Sequence, residues 1–175
     1  LPLSITIGTI TIDTAPPKIS HFNVTEIDST PMAAVGETGV YGIGTEFLIV
    51  ATTSETVRAG STVDATLSNG VLVRLTALAA GTSLSGTYMV AGDDASTEDL
   101  TIDSFSPIVM RDLAGNQLTS LDLPGYPRNI GDIHDLTVDT LPPNVTGFTA
   151  ADGFYKAGDN VTITATLSEP IQGNH

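Results

Sequence analysis

Val161-Thr162-Ile163-Thr164-Ala165-Thr166-Leu167 places an apolar residue at every odd position and threonine at each of the even ones. A period of two describes a strand with one face on a core and the other in water, and β-branched side chains suit that pleated surface. Phe47 to Thr53 is the counterpart of this stretch, 114 positions upstream. The same signal recurs at Lys18 to Thr25, Ser61 to Leu67, Val71 to Leu78, Leu84 to Ala91, Asp99 to Phe105 and Ile133 to Val138. Asn69-Gly70, between two of these runs, has the chemistry of a two-residue hairpin turn. No window shows apolar residues at helical spacing, so the chain reads as all-β.

A second segment occurs twice. Ile12-Asp13-Thr14-Ala15-Pro16-Pro17-Lys18-Ile19 returns 126 positions later as Val138-Asp139-Thr140-Leu141-Pro142-Pro143-Asn144-Val145. Further on, Gly39 to Val57 matches Gly153 to Ile171 at an offset of 114, so the first copy carries 12 extra residues, between Asn23 and Gly39. A repeat at this spacing predicts a modular array. Residues 1–13 then read as the final strand of a preceding module, 14–139 as a complete one and 140–175 as the opening strands of a following one. About seven strands in roughly 100 to 125 residues is the size of an immunoglobulin-like antiparallel β-sandwich, here without the Cys and Trp landmarks of antibody domains. The adjacent prolines after Asp13 and Asp139 predict short, fairly stiff junctions. The stretch from Asn116 to Gly131, with Pro124, Gly125 and Pro127, predicts a long loop before the last strand and the most mobile part of the module.

Composition narrows the function. With 20 acidic residues against 6 scattered basic ones, the formal charge is -14. Nucleic-acid binding, which needs clustered Lys and Arg to replace phosphate counterions, is excluded. An acid excess serves either solubility or the binding of hard cations through oxygen. The longest apolar run, Phe47 to Ala51, is far too short for membrane insertion as a helix. No Met opens the chain and no basic segment precedes an apolar one, so an interior fragment is expected. The lack of cysteine leaves core packing or metal to stabilise the module.

Several motifs in order carry a resemblance. They are Asp-Thr-x-Pro-Pro at both junctions, Gly-x-Tyr-x-x-Gly-Asp-Asn at Gly153 to Asn160, Ser-Glu-Pro-Ile at Ser168 to Ile171, Ala-Gly-Asp-Asp-Ala-Ser at Ala91 to Ser96 and Arg-Asp-Leu-Ala-Gly-Asn at Arg111 to Asn116. Together they resemble the immunoglobulin-like tandem repeats of large bacterial surface adhesins and related extracellular proteins. The resemblance implies an extracellular or cell-surface location and a stalk of β-sandwiches stiffened by calcium at or near the junctions. It implies neighbouring modules of the same chain as partners, with homotypic self-assembly and a surface receptor or glycan as further ones. The central copy departs from the pattern, with Gly42-Ile43-Gly44-Thr45 where the third has Lys156-Ala157-Gly158-Asp159, and Thr56-Val57 where it has Pro170-Ile171.

Strand parity singles out two carboxylates. Glu55 shares the odd register of Phe47, Ile49 and Ala51, and Glu169 that of Val161, Ile163, Ala165 and Leu167, so each ends a core-facing row. An ionised carboxylate there is costly unless paired or metal-bound, or unless the strand has already ended. An up-and-down strand order brings Asp13, Glu55 and the Asp112/Asn116 pair to one pole, with Asp139 and Glu169 repeating part of the set at the next junction. Calcium takes six to eight oxygens with no fixed sequence spacing, so such convergence suits it. The competing account of Asp112 to Asn116 is a plain turn. A second acidic cluster, Asp93, Asp94, Glu98, Asp99 and Asp103, lies at the opposite pole facing Asp139, with Asp93 and Asp94 the better ligands.

His21, His134 and His175 are isolated and read as surface or strand residues, not zinc ligands. No nucleophile elbow, phosphate loop or Ser-x-x-Lys is present, so the chain reads as a non-enzyme. Three functions remain: a structural stalk module, a receptor module using the 12-residue insertion or the Asn116 to Gly131 loop, and an accessory domain of a secreted hydrolase. Incomplete ends add filament assembly by strand donation.

Overall fold

The computed structural model describes residues 11–27 and 38–170. The chain divides into two units, Leu1–Thr140 and Leu141–His175, each taken here by itself. In the first, strands β1 (Ile19–Glu26), β3 (Glu46–Val57), β4 (Thr62–Leu67), β5 (Leu72–Thr76), β6 (Gly81–Met89) and β7 (Ile102–Val109) form one antiparallel sheet, in the order β1-β3-β6-β5-β4-β7. Strand β2 (Thr38–Tyr41) runs parallel to β8 (Asp135–Val138), with α1 (Ile130–Ile133) just before β8.

The alternation legible in sequence becomes the core. Phe47, Ile49, Ala51 and Thr53 of β3 are buried, as are Val63, Ala65 and Leu67 of β4 and Val73 and Leu75 of β5. Phe22 on β1 meets Phe105 on β7 edge-to-face, with ring centroids 5.7 Å apart. These strands are the two ends of the six-stranded sheet, so the sheet curls over and closes its apolar face on itself. The fold is therefore an all-β sandwich with the strand order of an immunoglobulin-like domain. The expected Asn69-Gly70 hairpin joins β4 to β5: Gly70 donates to the Leu67 carbonyl at 2.8 Å and takes φ 85°. Gly86 is needed for packing, because a Cβ there would overlap the Arg74 carbonyl of β5.

Several local expectations change. A single helical turn, α1, exists because Asn129 and Asp132 form a reciprocal capping box that satisfies the first amides. One turn of four residues is too short to leave a periodic apolar pattern. β7 starts at Ile102 and not Asp99, since Thr97 and Leu100 donate to the carbonyls of Val138 and Leu136 instead. The Asn116 to Gly131 loop is anchored at its far end, where the Arg128 carbonyl accepts from Phe22 at 2.9 Å and Asn129 donates to the Ile102 carbonyl at 2.8 Å. His134 is no surface residue; it is buried and lies 3.1 Å from Asn23 Oδ1 through Nε2. His175, most of the 12-residue insertion, and all but the last three residues of the final strand expected over residues 1–13 lie outside the described residues.

The second unit contains an antiparallel pair, β9 (Val145–Ala150) and β10 (Ile163–Leu167). Its register reproduces that of β1 and β3 position by position. Val145 faces Leu167, Gly147 faces Thr166 and Phe148 faces Ala165, as Ile19 faces Thr53, His21 faces Thr52 and Phe22 faces Ala51, with the irregularity at the same step. Two threaded bonds recur as well. Ser54 Oγ accepts from the Lys18 amide at 3.0 Å and Ser168 Oγ from the Asn144 amide at 2.9 Å. The Ser20 hydroxyl donates to the Thr52 carbonyl and the Thr146 hydroxyl to that of Thr166. The turns at Gly44 and Gly158 share φ values of 92° and 97°.

Burial separates these twins. Phe22 is 0 % exposed and Phe148 70 %. Truncating a buried Phe costs about 3–5 kcal/mol, whereas surface changes stay within about 0.5 kcal/mol. Urea unfolding followed by circular dichroism should accordingly show a large loss of stability for Phe22→Ala and almost none for Phe148→Ala; equal losses would contradict the assignment of the core.

Candidate metal centre

Three segments distant in sequence deliver carboxylates to one place. Asp13 lies on the extended approach to β1, Glu55 near the end of β3, and Asp112 in the turn after β7. One oxygen from each lies within 4.8 Å of the others. The strand does not end before Glu55. It continues to Val57, which is buried, so Glu55 occupies the core-facing row between Thr53 and Val57. The β3–β6 ladder is irregular here: Thr52 pairs with Ser83 but Val57 with Gly81, and Glu55 itself is half-buried.

Asp112 is held by the turn it starts. Its Oδ1 accepts from the amides of Gly115 at 2.6 Å and Asn116 at 2.8 Å, and its Oδ2 from Asn116 Nδ2 at 2.7 Å. Gly115 supplies the required positive φ, 105°. The plain-turn account of these residues is thus correct as far as it goes. Asn116 Nδ2 also donates to the carbonyls of Asp13 at 3.1 Å and Ala15 at 3.3 Å, which binds the approach segment to the turn. A further link is an isolated bridge between Val57 and Asp112, with Arg58 donating to the Arg111 carbonyl at 2.9 Å.

Electrostatics follow from this crowding. Burial, the charges of Asp13 and Asp112, and a hydrogen bond with Asp13 all raise the Glu55 carboxyl above its ordinary value. For Asp112, burial pushes upward, but bonds from Asn116, Gly115 and Ala114 outweigh it and hold the group below the usual range. Arg58 and Arg111 stand nearby yet donate to the carbonyls of Leu113 and Gly115, not to the carboxylates. Among the described residues the salt bridge that does form is Arg74–Asp64, elsewhere on the sheet at 2.8 Å.

An all-oxygen set with three carboxylates fits a hard cation. Calcium accepts irregular geometry, carbonyls and water, whereas magnesium demands a tighter octahedron and zinc favours nitrogen and sulfur. The Asp112 carboxylate is engaged by its turn through Ala114, Gly115 and Asn116, and one of its oxygens lies within 4.8 Å of the Asp13 and Glu55 oxygens. Asn116 turns its amide nitrogen toward the cluster, so its role in this geometry is to position the carboxylates.

The other expected ligands are distributed differently. Asp94 Oδ2 accepts from the Tyr88 hydroxyl and the Ala91 amide, both at 2.9 Å, and so closes its own loop. Burial first, and then Asp94, raise the Tyr88 phenol above its usual range. Asp93 is exposed. The loop does meet the end of β8 as expected: Thr140 donates through its hydroxyl to the Asp94 carbonyl at 2.9 Å and through its amide to Ser96 Oγ at 3.1 Å. Asp139 belongs to the first unit and Glu169 to the second. Sequence reading missed the Asn69–Tyr88–Asp94 chain of hydrogen bonds, for which no pattern exists because Asn69 and Asp94 meet only through the Tyr88 hydroxyl. Compared with protein-family models, curated proteins and solved structures, the chain matches none.

A raised carboxyl makes the native state bind more protons than the unfolded chain, so its contribution to stability falls as pH rises from 4.5 through the raised native value. In chelator, melting curves should show this fall in the parent and lose that component in Glu55→Gln. With calcium present the sign should reverse, because the ion requires the ionised form, and Glu55→Gln should then melt below the parent. Identical curves with and without calcium would count against an ion here.

Proposed function

We propose that the chain is a structural module of an extracellular tandem array, an immunoglobulin-like stalk whose joints are stiffened by calcium and which presents an adhesive surface. The observation that carries this reading is the convergence of Asp13, Glu55 and Asp112, with Asn116 tethering the approach segment to the turn. An ion bound there would clamp the chain entering the sandwich to the end of β3 and the turn after β7, so its mechanical effect falls on the joint and not on the core. The duplicated register of β9 and β10 supports an array, and Asp139 and Glu169 repeat the residue types of Asp13 and Glu55 in sequence. The described residues include no helix long and apolar enough to cross a membrane.

Small-angle scattering of a polypeptide of two consecutive modules tests the reading. Calcium should lengthen the maximum dimension and narrow the distribution, chelation should reverse both, and Glu55→Gln with Asp112→Asn should abolish the response while each module keeps its melting transition. A shape independent of calcium would remove the joint function.

A second reading, the module as a receptor for an acidic glycan, is favoured by one groove of about 240 Å³. Lys18, Ser20, Ser120, Asp122 and Arg128 line it, beside the edge strand β1, with the Ser120 hydroxyl donating to Asp122 at 2.9 Å. Two of the 6 basic residues of a strongly acidic chain thus flank one concavity, which also holds two serine hydroxyls and the single carboxylate of Asp122. Binding to an array of uronic-acid and sulfated glycans, lost in Lys18→Glu and Arg128→Glu and indifferent to chelator, would support this function; silence of the parent across the array would end it.

A further inference from the structure

Five of the 6 basic residues lie in the first unit, and three of these are engaged by the protein itself. Arg74 pairs with Asp64, Arg58 donates to the Leu113 carbonyl, and Arg111 donates to the Gly115 carbonyl and to Gln117 Oε1. The other two, Lys18 and Arg128, both line the groove beside β1, and among the described residues neither side chain has a hydrogen-bond or ion-pair partner. Asp122 lines the same groove without pairing with either; its Oδ2 accepts from the Ser120 hydroxyl instead. Two cations that bypass the carboxylate beside them leave charge for a ligand to neutralise.

The hydrogen-bonding inventory of the lining side chains defines what that ligand presents. Both hydroxyl protons are already committed within the protein, Ser120 donating to Asp122 at 2.9 Å and Ser20 to the Thr52 carbonyl at 3.0 Å. Side-chain donation into the groove therefore comes from Lys18 and Arg128 alone, while Asp122 Oδ1 and the serine oxygens are left as acceptors. An anionic group satisfies the donors and hydroxyls satisfy the acceptors. The lining carries one positive charge in excess, which matches a single negative charge; a second would face Asp122.

We propose that the groove binds a sugar acid, a pyranose ring with one carboxylate and free hydroxyls, and that Asp122 selects it over sulfated polyanions. Lys18 and Arg128 hold the carboxylate, Asp122 accepts from a ring hydroxyl, and Leu123 offers an apolar wall to the C–H face of the ring. Pockets for drug-sized ligands start at about 300 Å³. A groove of about 240 Å³ suits one sugar residue. The inference rests on the receptor reading of this groove and narrows it to one ligand class.

The test titrates the isotope-labelled full chain with methyl glucuronide, methyl glucoside and inorganic sulfate, following amide resonances. Methyl glucuronide should give saturable shifts centred on Lys18 to Ser20 and Ser120 to Arg128. It should bind about tenfold more tightly than methyl glucoside, which lacks the charge, or sulfate, which lacks the hydroxyls. Lys18, Asp122 and Arg128 are exposed, so Lys18→Gln, Asp122→Ala and Arg128→Gln should keep the parent melting transition. Each cation change should weaken methyl glucuronide about tenfold. Asp122→Ala carries the decision: it should weaken methyl glucuronide and tighten sulfate, because it takes an acceptor from one ligand and a repelling charge from the other. Tightening of both, equal affinity for glucuronide and sulfate, or no saturable shift at the groove overturns the proposal. If sulfated glycans nevertheless bind the parent on an array, the receptor function survives with another ligand; silence there as well ends both.

Discussion

The pairing of β3 along both of its edges is the constraint on which the rest of the molecule depends. β1 holds one edge and β6 the other, and the odd-numbered side chains of β3 supply the floor of the core. With β3 fixed in this way, Phe22 is directed inward, and closing the sheet brings Phe105 from its far end onto that ring. A slip of one residue in β3 would replace Phe47, Ile49, Ala51 and Val57 in the core-facing row by Glu46, Leu48, Val50, Thr52, Ser54 and Thr56, so register is strongly specified. The same row carries Glu55 in core parity. The fold thereby places a half-buried carboxylate where the β6 ladder is irregular and solvation is reduced.

That placement links stability to the candidate centre. Asp112 is 1 % exposed, and the hydrogen bonds from Ala114, Gly115 and Asn116 in its turn favour the charged form. Glu55 has no comparable set among the described hydrogen bonds to its carboxylate and is destabilised by the two neighbours it meets. A cation bound there would relieve this conflict for all three groups at once. The arrangement also explains why the tether from Asn116 matters: it fixes the backbone around Asp13, which lies outside any strand and would otherwise be free to move away.

The two units show how much of a β fold resides in local register and how much in the company it keeps. β9 and β10 adopt the pairing of β1 and β3 down to the same irregular step and the same serine and threonine bonds, although their apolar face is open. Pairing is decided by the turn, the alternation and the side-chain bonds near the junction, all of which are short-range. Burial is decided by strands far away in sequence.

The all-β class, the half-buried strands, the Asn69-Gly70 hairpin and the duplication were legible in the residues, because a period of two and a turn dipeptide act over a few positions. The convergence of Asp13, Glu55 and Asp112 was legible only with an assumed strand order, since no spacing encodes a site built from 99 residues of separation between its ends. Tertiary structure alone decided that Asp94 closes its loop on Tyr88 and that His134 is buried against Asn23. It alone decided that β2 runs parallel to β8, and that a single helical turn precedes β8. Each of these depends on groups brought together by closure of the sheet, and a local pattern cannot record a contact made by long-range packing.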